Sequence, residues 1–129
     1  MTPARPPLTA IGVDLVDVIR ISRFLDRYDD VTLSHVFSRG ELTAARSAAL
    51  SGHYLSVCFG VKEAIGKAIG TGAVGIGWHD VEMTAQQVGE IRLRLSGAAA
   101  HHAAARGINR WHASAVQAGR FVIVVAIGC

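Results

Sequence analysis

Charge is scarce in this 129-residue chain: 18% of its residues are Asp, Glu, Lys or Arg, while half are hydrophobic. That balance excludes an intrinsically disordered chain and leaves apolar surface over for a partner subunit. Proline is confined to positions 3, 6 and 7, so residues 1–7 read as a flexible leader. The two cysteines, Cys58 and Cys129, show no metal-ligand spacing and give no disulfide framework. Aromatics make up 6% of the chain and no run of Lys or Arg occurs. The stacking platform and basic stripe used by nucleic-acid binders are therefore missing. No apolar stretch reaches membrane-spanning length, and the start lacks a signal core. The expectation is a cytoplasmic protein with no nucleic-acid and no membrane partner. A net charge of +3 suits acidic partners.

What the chain does have is clear periodicity. Over residues 8–15, Ile11, Val13 and Leu15 alternate with Ala10, Gly12 and Asp14, which is the period of a strand. From Asp17 onward, Val18, Ile21, Leu25 and Tyr28 recur at helical spacing. Ser38 with Glu41 three residues on predicts a capped helix to about Leu50, interrupted at Ser51-Gly52. A second, more buried helix is expected over 53–69, with Gly70-Thr71-Gly72 as its stop. A glycine-rich loop over 72–77 precedes a strand pair, 78–83 and 90–95, turning near Val88-Gly89. Ser96 should cap an alanine-rich helix ending at Gly107, before two last strands at 110–116 and 120–127. No repeat or second domain is visible. The fold class is α+β, a small mostly antiparallel sheet with packed helices.

Three residues have the chemistry for phosphate work. Asp14 lies among small neighbours, which leaves room for something bulky to approach its carboxylate; the plainer alternative is that Asp14 or Asp17 caps the following helix. Glu63 and Lys67 stand four apart in the favourable order for a helical ion pair, and a surface pair is the plain reading there. Gly60 and Gly66 inside the same helix each cost up to about 1 kcal/mol relative to Ala, which the close approach of a backbone or a ligand would explain. Two carboxylates and a lysine suit a magnesium–phosphate group, the lysine neutralising charge on a phosphoryl in transfer. Nothing in the spacing itself brings Asp14 to Glu63. His101-His102 reads as solvated helix surface and His112 as a strand histidine at a sheet edge.

Three stretches together resemble the signatures of the short, trimeric, holo-acyl-carrier-protein-synthase type of 4′-phosphopantetheinyl transferase. They are Ile11-Gly12-Val13-Asp14-Leu15-Val16-Asp17-Val18-Ile19-Arg20-Ile21, the run from Phe59-Gly60-Val61-Lys62-Glu63 through Lys67 to Gly70-Thr71-Gly72, and Trp78-His79-Asp80-Val81-Glu82. The resemblance implies one phosphopantetheinyl transferase-like domain over 8–129. It also implies Mg²⁺-dependent transfer of 4′-phosphopantetheine from coenzyme A to a serine of an acyl or peptidyl carrier protein, with release of adenosine 3′,5′-bisphosphate. Fatty-acid, polyketide and peptide synthesis are the pathways such carriers serve.

By the same resemblance Asp14 and Glu63 hold the metal, and Glu63 and Lys67 are catalytic. Lys62, Gly70, Thr71, Gly72 and Gln117 contact coenzyme A, and Arg20 and Arg27 receive the acidic carrier. The assembly implied is a homotrimer with coenzyme A where subunits meet. Two positions depart from the family pattern. Cys58 stands where an arginine is usual, and Val116-Gln117 stands where a hydroxyl and a histidine are usual. Gln117 can still hydrogen-bond a phosphate or an adenine edge but carries no charge. An active transferase with altered preference is expected; the alternative is a catalytically impaired relative acting as a coenzyme A-binding or assembly protein.

Overall fold

A computed structural model describes residues 9–70, 75–87 and 90–129. The leader over 1–7, Thr71, Gly72 and the turn at Val88-Gly89 lie outside the described residues. The chain runs β1(Ala10–Asp17), α1(Val18–Arg27), α2(Asp30–Leu33), α3(Arg39–Ser47), α4(Ser51–Ile69), a 3₁₀ turn (Trp78–Asp80), β2(Val81–Gln87), β3(Glu90–Leu95), α5(Gly97–Ala105), β4(Trp111–Ala118) and β5(Phe121–Gly128). Among the described residues the strands form an antiparallel sheet in the order β1-β5-β4 and a separate β2-β3 hairpin. This is the expected α+β class with small antiparallel sheets.

The long helix α4 is the centre of the molecule. Leu55, Val57, Val61, Ile65 and Ile69 are fully buried on it, facing Val122, Val124 and Ala126 of β5, which are equally buried. Such a helix, apolar on most sides, needs cover on most sides, and sheet, hairpin, α1 and α3 supply it. Among the described residues nothing gives the other face of the sheet such cover. Ile11, Val13, Leu15 and Val116 are about half exposed or more, and Phe121 is 38% exposed. Register puts them on one surface, because Leu15 pairs with Ile123 and Ile123 with Val116.

The element boundaries carry physical reasons. Asp17 ends β1 and caps α1, its carboxylate accepting from the Ile19 and Arg20 amides at 3.0 and 3.4 Å. Ser38 and Glu41 form the expected capping box. Ser51-Gly52 does not interrupt a helix as expected; α4 starts there. Gly52 is small because α1 passes against it, and a Cβ there would lie 2.0 Å from Ser22 Oγ. Nor do residues 78–80 form a strand. Asp80 folds back to accept the Gly77 amide at 3.1 Å, and this sets the 3₁₀ turn. Ser96 occupies the start of α5 without a side-chain cap bond, and Asp80 instead accepts from the Ala99 amide at 3.3 Å.

Strand β1 meets α4 most tightly at Gly12. A Cβ there would stand 1.8 Å from the Ala64 carbonyl oxygen and 2.9 Å from the Ala68 nitrogen, both backbone atoms that cannot swing away. Gly12→Ala is therefore expected to lower stability by about 3 kcal/mol or more, the upper end for overpacking. Urea unfolding reads this as a lower midpoint at unchanged slope, and an unchanged midpoint would refute the crossing.

Candidate functional site

Alternation along β1 gives the site its first member. Gly12, Asp14 and Val16 share the face that lies on α4, with Gly12 over Ala64 and Val16 against Gly60. Asp14 lies between them, with 11% of its side chain exposed, and its Oδ1 accepts from Lys67 Nζ at 2.9 Å. The same ammonium donates to the Val13 carbonyl at 3.2 Å. The structure thus brings Asp14 and Lys67 together from positions 53 residues apart.

Glu63 is one helical turn before Lys67 on α4 and half-buried. Its carboxyl is pushed above the usual glutamate range, by burial first and by the nearby Asp14 charge second, with Lys67 opposing the shift. Asp14 and Glu63 sense each other's charge, and Lys67 bonds the first from one turn beyond the second, so the two carboxylates offer a hard-oxygen donor set. Among the described residues no cluster of three metal-ligating side chains occurs. A zinc site, with its tetrahedral N/S ligands, does not fit. Mg²⁺, which takes one or two carboxylates and fills its shell with water and phosphate oxygens, does fit Asp14 and Glu63.

The Glu63 shift has a sign that can be measured. A carboxyl raised above its unfolded value contributes stability that is intact below the unfolded pKa near 4.5 and lost as pH rises through the folded value. Glu63→Gln is therefore expected to stabilise the metal-free protein at neutral pH and to be neutral at pH 4 and below. Mg²⁺ should raise the melting temperature of the parent more than that of the variant. Equal metal responses would sink the two-carboxylate reading.

Beyond Glu63 the surface opens into a cavity of about 280 Å³ lined by Lys62, Glu63, Gly66, Lys67, Ile76, Gly77, Trp78 and Val81. Trp78 stacks on Phe59 with ring centres 5.4 Å apart. Lys62, expected to meet coenzyme A, is turned inward: its ammonium donates to the Trp78 and Val81 carbonyls at 2.8 and 2.5 Å and pairs with Glu41 Oε1 at 3.0 Å. Three acceptors use its three protons. Glu41, read from the sequence as a cap, is fully buried, and its Oε2 also accepts from the Met83 amide at 2.9 Å. No sequence signal showed that this cap residue would reach across to α4 and β2.

The remaining expected residues are spread out. Gly70 ends α4 with φ +78°, in the left-handed conformation that suits glycine, and the Arg106 guanidinium lies beside it. Arg106 drew no notice in the sequence. Cys58 is fully buried beside Glu41, and its thiol is pushed up by burial first and by the Glu41 charge second. A thiol in that setting is inert. Gln117 is exposed on β4 and donates to the Gly119 carbonyl at 3.1 Å. It pairs with Val122, which pairs with Val16, so two strand spacings, about 10 Å, separate it from β1. His112 lies on the opposite face, paired with Ile127, as alternation requires. Arg20 and Arg27 are exposed on α1 over the Phe24 and Tyr28 rings, 5.7 and 5.9 Å from their centres.

The sequence profile of the 4′-phosphopantetheinyl transferase superfamily matches residues 10–125. A holo-[acyl-carrier-protein] synthase of Photobacterium profundum is 31% identical over 121 residues, covering 93% of this chain and 96% of its own. The crystal structure of the holo-[acyl-carrier-protein] synthase from Neisseria meningitidis superposes with a TM-score of 0.81 at 24% identity, over 95% of this chain and 98% of the other. A Helicobacter pylori holo-[acyl-carrier-protein] synthase, solved in complex with coenzyme A, gives 0.75 at 22% identity over 92% and 99%. At those identities the structural likeness speaks for the fold alone. No helix among the described residues is long and apolar enough to cross a membrane.

Proposed function

Since the chain belongs to the 4′-phosphopantetheinyl transferase superfamily, as one of its holo-acyl-carrier-protein-synthase type, we propose that it moves 4′-phosphopantetheine from coenzyme A to a carrier-protein serine at Asp14, Glu63 and Lys67. The observation that carries this reading is the convergence of Asp14 with Lys67 beside a Glu63 whose carboxyl is raised by burial first and by the Asp14 charge second.

In this reading the serine oxygen attacks the β-phosphorus of the diphosphate and forms the new phosphodiester. The bond from that phosphorus to the bridging oxygen breaks, and adenosine 3′,5′-bisphosphate leaves with the bridging oxygen. Asp14 and Glu63 would hold Mg²⁺, which when bound draws charge from the diphosphate. Lys67, with 54% of its side chain exposed, swings between Asp14 and the phosphoryl oxygens as charge builds there. The serine proton passes to Glu63 or to water held beside it. Lys62 and Glu41 act from behind, tying the Trp78–Val81 wall to the catalytic helix. Gly70, Thr71 and Gly72 stay assigned to the coenzyme side, and Arg20 and Arg27 to an acyl or peptidyl carrier, since α1 turns its guanidinium groups to solvent.

Gln117 stands apart from the carboxylates in one chain, and the outer face of the sheet is apolar and open. Both features support a homotrimer closed through that face, with coenzyme A between copies and Gln117 supplied by a neighbour. Incubating the protein with coenzyme A, Mg²⁺ and apo carrier proteins tests the function. A carrier gaining the mass of one phosphopantetheine is the expected result, and none across acyl and peptidyl carriers would overturn it. Coenzyme A binding without transfer would favour the impaired-relative alternative.

A further inference from the structure

Helix α4 carries three glycines, one in its first turn and two inside, and packing accounts for Gly52 and Gly60. A Cβ at Gly52 would meet Ser22 Oγ at 2.0 Å, and one at Gly60 would meet Val124 Cγ2 at 2.5 Å. Gly66 is buried as well, yet a Cβ there would meet no atom of the described residues within 4 Å. Glycine in mid-helix is costly because its backbone freedom is lost on folding, and alanine would relieve that cost. At positions 52 and 60 alanine would force the Ser22 and Val124 side chains to shift. Among the described residues nothing stands in the way of alanine at 66, so no packing contact among them calls for glycine there.

The space facing Gly66 is the cavity beside Glu63 and Lys67. We propose that Gly66 is a specificity-determining residue, keeping that cavity open for the uncharged pantetheine arm of coenzyme A where it leaves the diphosphate. This rests on the reading of Asp14, Glu63 and Lys67 as the diphosphate end. The lining selects the arm over the nucleotide. Lys62 has no proton left to offer, and Lys67 serves Asp14 and the diphosphate, so the lining holds no further cation for the phosphate of the nucleotide. Ile76, Val81 and Trp78 suit an aliphatic chain instead. The volume, about 280 Å³, lies just below the range of about 300–1,000 Å³ for whole small-molecule sites, so a part of the coenzyme fits and not all of it.

Calorimetric binding of coenzyme A and of adenosine 3′,5′-bisphosphate, which lacks the arm, to Gly66→Ala and Gly66→Leu tests the assignment. Gly66→Leu is expected to weaken coenzyme A about tenfold or more and to leave the bisphosphate within about twofold. Gly66→Ala should weaken coenzyme A less while raising the melting temperature by about 4 °C, which shows that the helix is intact. Equal losses for both ligands would put the nucleotide in the cavity and overturn the inference, as would unchanged coenzyme A binding in both variants. A parent protein that binds neither ligand overturns the transferase reading itself, and this inference with it.

Discussion

Glu63→Gln should slow phosphopantetheine transfer by about 10³-fold, the scale set by losing a positioned acid–base or electrostatic group. The amide keeps the size of the side chain and removes its charge, so the cavity wall and helix α4 stay as they are. The neighbouring Asp14 then faces Lys67 alone, a pair at 2.9 Å that needs no third partner. Because the parent glutamate is strained by burial and by Asp14, the variant should be no less stable than the parent. Loss of activity with a retained melting temperature therefore separates chemistry from folding. Parent-like turnover by the variant at saturating Mg²⁺ would remove Glu63 from both the metal and the proton transfer.

Lys62→Met is expected to have the opposite profile, a loss of stability of about 3–5 kcal/mol, because it leaves the buried Glu41 carboxylate uncompensated. With 2% and 0% of the two side chains exposed, water cannot take over the missing partner. The carbonyls of Trp78 and Val81 lose their donor at the same time. Adding Glu41→Gln should restore a large part of the loss, since a neutral amide can keep accepting from the Met83 amide without a stranded charge. Denaturant midpoints of the two single variants and the double variant measure the coupling. A double variant no more stable than Lys62→Met would show that the pair is not the source of the effect.

Much of this molecule could be read from its sequence, for reasons that are local. The alternation around Asp14, the capping box at Ser38 and Glu41 and the helical run to Gly70 all depend on neighbours within a few residues, and they appear where the pattern puts them. The failures were places where a distant element set the local structure. Gly52 reads as a break until α1 is seen to lie against it, and Trp78–Asp80 reads as a strand until the Asp80 carboxylate folds back on Gly77. Lys62 was assigned to coenzyme A through the family resemblance alone, and the sequence offered no sign of its buried partner. Helical geometry turns adjacent residues about 100° apart, and Glu41, far away in sequence, takes the charge inside. The meeting of Asp14 with Lys67 has no local signal at all. It follows from the missing Cβ at Gly12, which lets the strand come down onto the helix backbone.

That crossing also governs how the protein fails. The acidic and basic groups of the site are mounted on the two elements in closest mutual contact, with fully buried Ala64 and Ile65 between them and the interior. Such segments open only when the whole molecule does, so the amides inside α4 and those of β1 bonded to β5 should exchange with deuterium only through global unfolding. Heat inactivation will accordingly follow the loss of the native state, with no cooler phase in which an intact body carries a melted centre.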